Sequence, residues 1–89
     1  MPTLSVFYGI TVMMYYFDTG QHNLPHIHVT YGSYEAAVSI KTGEVLAGTF
    51  PGKKLKLVQA WIEIHHEDLM ANWKLASSGE SVYSIEPLK

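Results

Sequence analysis

Leu24-Pro25-His26-Ile27-His28-Val29-Thr30-Tyr31-Gly32-Ser33-Tyr34-Glu35-Ala36-Ala37-Val38-Ser39-Ile40 is two runs of β-forming residues joined by Gly-Ser. That pattern reads as a hairpin with a two-residue turn at Gly32-Ser33. Pro25 sets its own φ and biases Leu24 toward extended backbone, which defines the start of the strand at His26. Successive side chains of a strand point to opposite faces, so His26 and His28 share one face and Ile27 and Val29 the other. Closure at Gly32-Ser33 sets His28 opposite Ala37, His26 opposite Ser39 and Thr30 opposite Glu35. The core side is then Ile27, Val29, Tyr31, Tyr34, Ala36, Val38 and Ile40, with Val45 and Ala47 of the next strand. The more polar side carries His26, His28, Thr30, Glu35 and Ser39, with Leu46 and Phe50 nearby. A slip of one residue would exchange the two faces.

Working outward, Val6 to Phe17 reads as one long strand, apolar on both faces, in which Gly9 marks a bulge or a close backbone approach. Asp18-Thr19-Gly20-Gln21-His22-Asn23 is turn chemistry and predicts a loop. After the hairpin, Thr42-Gly43 turns the chain into a further strand ending at Phe50, and Pro51-Gly52 breaks the sheet. From about Lys53 to Ser77 the period becomes helical, with a stripe of Leu57 or Val58, Trp61, Ile62, His65, Leu69, Trp73 and Ala76. Asp68 has the chemistry to cap a second helix, which leaves open a kink or split between His65 and Asp68. Gly79 suits the position after a helix end, and the alternately apolar tail from Val82 to Leu88 predicts an edge strand. The expected architecture is α+β, a single domain over residues 1–89. A four-stranded antiparallel β-meander carries a C-terminal helix, whole, kinked or split, on one face.

Eighty-nine residues support one modest core, and a partner or homodimer would add to it. There is no cysteine, hence no disulfide framework and no thiolate metal site. The apolar run from Val6 to Phe17 is too short to span a bilayer, and no basic segment precedes it. A soluble cytoplasmic protein with no membrane association is expected. Net charge is -2 and all six basic residues are lysines. Without arginine, which matches phosphate oxygens bidentately, a general nucleic-acid grip is disfavoured. The cluster Lys53-Lys54-x-Lys56 reads first as a solvated opening turn of the helix.

Any chemistry centres on His26 and His28. Two imidazoles near neutral pH can serve as base and acid, as RNA cleavage through the 2′-hydroxyl requires. Glu35 across the hairpin completes the candidate catalytic set, and His22, Asn23, Tyr34 and Lys54 are candidate binding residues. Tyr34 or Lys54 would meet developing phosphate charge. A divalent metal at His26/His28 would need His22 or Glu35 as third ligand; nothing in the spacing forces either into place, so no cofactor is expected. The commonest role of an isolated His-x-His is structural, with both rings hydrogen-bonded to loop backbone. Trp61, Trp73 and His65 read as core, His66 as exposed. Tyr15-Tyr16 and Tyr31/Tyr34 could stack bases, but strand aromatics are more often packing.

Four segments together carry a family resemblance: Met1 to Ile10, Asn23-Leu24-Pro25-His26-Ile27-His28-Val29, Thr42-Gly43-Glu44-Val45-Leu46-Ala47-Gly48, and Trp61 to Trp73. From Pro2 to about Leu88 the chain resembles the bacterial domain family of unknown function DUF4160. Many relatives have Pro-Pro-His-Phe-His where this chain has Leu24-Pro25-His26-Ile27-His28. The resemblance implies a partner from a second small domain family, DUF2442, and for some members a DhiT-type toxin role in type II toxin-antitoxin pairs. The resulting expectation is a toxin acting through His26/His28, with RNA as substrate, neutralised by a DUF2442-like antitoxin. The alternative is a non-catalytic protein-binding module, itself antitoxin-like or regulatory, working through its sheet face or an edge strand.

Overall fold

The structure, a computed structural model, describes residues 2–16 and 24–89. Five strands form one antiparallel sheet in sequence order: β1 (Thr3–Phe7), β2 (Ile10–Met13), β3 (His26–Tyr31), β4 (Tyr34–Ser39) and β5 (Val45–Thr49). Helices α1 (Gly52–Ile64) and α2 (His66–Ser77) follow. The architecture is α+β as expected, with five strands in place of four.

The extra strand, β1, begins at Thr3, ahead of the region read as one long strand from Val6, and the chain reverses within that region. Tyr8 and Gly9 have φ of 50° and 79°, and Phe7 faces Ile10 across them. Positive φ at both central residues gives a two-residue turn whose twist matches its flanking strands. Gly9 is therefore a turn residue, and apolar character on both sides of Tyr8-Gly9 hid the reversal. A bulge at Leu4, between Thr3↔Met13 and Ser5↔Val12, turns both Leu4 and Ser5 inward.

The β3–β4 register is the expected one, with His26↔Ser39, His28↔Ala37 and Thr30↔Glu35 paired. Phe7, Ile10, Val12, Ile27, Val29, Ala36 and Val38 form the buried face. Val58, Trp61, Ile62, Leu69 and Ala76 of the helices close over it. Trp61 is fully buried, 5.3 Å from Phe7 between ring centroids. Beyond Val45 the expected faces fail. Ala37 pairs with Ala47 but Val38 with Val45, so Leu46 is extra and Ala47 turns to the outer face. Phe50, expected on the outer side, packs against the core, 6.5 Å from Tyr31.

The helical region does break, at His65 (φ −109°, ψ 26°), while the His65 N–H still donates to the Trp61 carbonyl and the Leu69 N–H to that of His65. Gly79, at φ +74°, ends α2 with the Glu80 N–H donating to Leu75 O and the Gly79 N–H to Ala76 O. The tail forms no sixth strand. It is held by Ile85 N–H to Leu4 O at 2.8 Å, by Trp61 Nε1–H to Glu86 O at 2.8 Å, by the Asn72 side-chain amide bonded twice to the Tyr83 backbone, and by the Tyr83 hydroxyl donating to Asp68 Oδ1 at 3.2 Å. The buried Asn72 amide behaves there like one residue of a neighbouring strand. Among the described residues no helix is long and apolar enough to cross a membrane.

Candidate functional site

The outer face of the sheet is laid out in two cross-strand rows. Met13, His28, Ala37 and Ala47 face one another in turn, and beside them lie Thr11, Thr30, Glu35 and Thr49. Ala37 and Ala47 project only methyl groups, so the sheet floor is low between His28 and the β5 edge. A cleft of about 680 Å³ results, walled by Tyr15, Tyr16, Met13 and His28 and reaching Thr30, Glu35 and Gly48. Gly48 is required there. Its φ is +82°, and a Cβ at that position would collide with the Glu35 carbonyl oxygen.

The two histidines are divided between tasks. His26 is 2% exposed, with Nδ1 2.7 Å from the Leu24 carbonyl oxygen. A carbonyl only accepts, so Nδ1 carries the proton. The His26 ring lies between Trp73 (5.0 Å) and His28 (5.2 Å). Half-buried His28 lines the cleft, and Tyr15 meets its ring edge-on at 4.2 Å.

Glu35 is exposed in the same cleft, diagonal to His28 across the β3–β4 pair. Among the described residues it makes no ion pair with either histidine. Tyr34 and Lys54 are not brought to this site. Tyr34 pairs with Tyr31 at the hairpin tip, and Lys54 Nζ stands 4.9 Å from the Tyr31 ring centroid. Tyr31 shares the helix-side face of Ile27 and Val29, away from His28. His22 and Asn23, two further candidates, lie outside the described residues. Among the described residues no group of three metal-ligating side chains converges.

The sequence reading missed Ala37, Ala47 and Gly48 as cleft residues. Small residues in strands were the available signal, but placing Ala47 on the outer face needs the bulge at Leu46. Among its described residues, the cleft offers one carboxylate, one imidazole, aromatic walls and no lysine. No match to the chain was found among curated proteins or among solved structures. Residues 9–74, covering the whole cleft-forming sheet from the first turn onward and nearly all of the helical region, match the model of the domain of unknown function DUF4160, and the chain belongs to that family.

Proposed function

We propose that this chain is the toxin member of a two-protein bacterial toxin-antitoxin pair, acting in the cytoplasm, and that it works by binding a partner in the outer-face cleft. Its resemblance to the DUF4160 family, some members of which are classed as DhiT-type toxins, supports the pairing with a DUF2442-like antitoxin. The burial of His26 carries the choice of binding over two-histidine catalysis. Its Nδ1 is committed to Leu24 O and its ring to Trp73. A histidine acid–base pair needs both imidazoles at the substrate. The usual partners of phosphate charge are absent too, since Lys54 and Tyr34 sit on the helix side and the described cleft residues include no lysine.

One observation favours RNA cleavage as the second reading: His28 and Glu35 share the cleft. Tightly induced expression in a bacterial host separates the two. The expected result is growth arrest by the wild type with intact cellular RNA, relieved by Ala47→Trp, which fills the cleft at an exposed position. RNA fragments that vanish with His28→Ala would instead support the catalytic reading. A wild-type chain that leaves growth unaffected in a host without antitoxin would remove the toxin role.

A further inference from the structure

We propose that the cleft receives a basic side chain from an extended peptide strand that adds to the free edge of β5, an assignment that rests on the partner-binding reading above and names its ligand.

The two sheet edges differ. β1 is covered in part by the C-terminal tail, whose Ile85 N–H donates to Leu4 O. β5 is the other terminal strand, mostly exposed, and Val45-Leu46-Ala47-Gly48-Thr49 contains neither charge nor proline. Such an edge presents outward N–H and C=O groups to another extended chain. The cleft opens onto this edge, because Ala47 and Gly48 belong to its lining. A strand added there would lie about 4.8 Å beyond β5 and about 10 Å from β4, which carries Glu35. A lysine or arginine stem can cross the methyl floor of Ala47 and Ala37 toward the Glu35 carboxylate. Glu35 is the only fully charged group among the described lining residues, and the aromatic residues Tyr15 and Tyr16 line the same cleft.

On the opposite face of the same edge, Val45 is 37% exposed and Phe50 half-buried, so the residues flanking the basic one should be apolar. The matching ligand is a strand that alternates apolar and basic positions. A second copy fits poorly, since antiparallel pairing of β5 with itself would bring no lysine to the cleft.

The test titrates the labelled full chain with acetyl-Thr-Val-Lys-Val-Thr-amide and its Gln and Glu counterparts, reading amide shifts and hydrogen exchange. The lysine peptide should bind about five- to tenfold more tightly than the Gln peptide, less so in salt, and slow exchange of the β5 amides. Glu35→Gln should erase that preference while keeping the weaker Gln-peptide binding. Ala47→Lys, which puts the chain's own ammonium at the mouth of the cleft, should abolish peptide binding with the melting temperature retained.

Equal affinities for the three peptides, a preference that survives Glu35→Gln, or unprotected β5 amides at millimolar lysine peptide would overturn the assignment. So would sedimentation as a dimer with β5 amides protected in the free protein, which would give the edge to a second copy. Growth arrest relieved by Ala47→Trp together with no lysine preference would remove the basic strand and keep the partner-binding reading. A lysine preference in a chain that leaves growth unaffected would uphold the strand site and remove the toxin role.

Discussion

His26 and His28 stand two residues apart on one strand and point the same way, yet they belong to different parts of the molecule. His26 is packed as a core residue, under Trp73 and bonded to the Leu24 carbonyl. His28 lines a cleft with Tyr15 at its edge. The difference follows from what α2 delivers. Trp73 reaches the beginning of β3 and covers one ring, while the row holding His28 continues onto alanines. A residue pair that looks like one motif is thus one buried residue and one half-buried residue of a cleft wall. The two faces of the sheet repeat the lesson. The helix-covered face is filled by large apolar side chains, and the outer face near β5 is left empty by small ones.

If that contrast is right, substitutions on the covered face should cost stability and those in the cleft should cost binding. Trp61→Ala is the largest test. It removes a fully buried ring, its contact with Phe7 and the bond to Glu86 O. A loss of about 3–5 kcal/mol is expected in urea unfolding. Gly48→Ala probes an exception, since an exposed edge position should still be intolerant. The positive φ and the collision with the Glu35 carbonyl predict about 1–3 kcal/mol of destabilisation and exchange-labile β5 amides. An alanine there with wild-type stability would show that β5 can move away and that the cleft floor is not rigid.

The histidines give a sharper comparison. His26→Ala should cost about 2 kcal/mol, through the lost bond to Leu24 O and the void beside Trp73. His28→Ala should cost less than about 1 kcal/mol. Equal costs would show that the two rings form one unit. The smallest effect has the opposite sign. Ser5 is buried on the covered face with no hydrogen-bond partner for its Oγ among the described residues. Ser5→Ala should therefore raise stability by up to about 1 kcal/mol.

Much of the frame was legible in local pattern. The hairpin register from His26 to Ser39 followed from alternation and the Gly32-Ser33 turn, and the structure reproduces it pair by pair. The helical stripe and the stop at Gly79 were legible for the same reason, because side-chain period and cap chemistry are properties of neighbours in sequence. The same pattern leaves the break open, and it falls at His65 with no side-chain cap from Asp68. The reversal at Tyr8-Gly9 escaped because an aromatic residue at positive φ lacks the usual turn signature. The outward turn of Ala47 escaped because a bulge shifts parity without leaving a mark in composition.

The amino-acid sequence by itself determined the strands of the central hairpin, their pairing and the helical region, since each depends on interactions a few residues long. Only the tertiary structure decided that His26 is buried and His28 half-buried, that Tyr34 and Lys54 lie away from them, and that Ala37, Ala47 and Glu35 share a cleft. Those outcomes depend on which distant segment arrives over each face. Burial, unlike periodicity, is a property of the assembled fold.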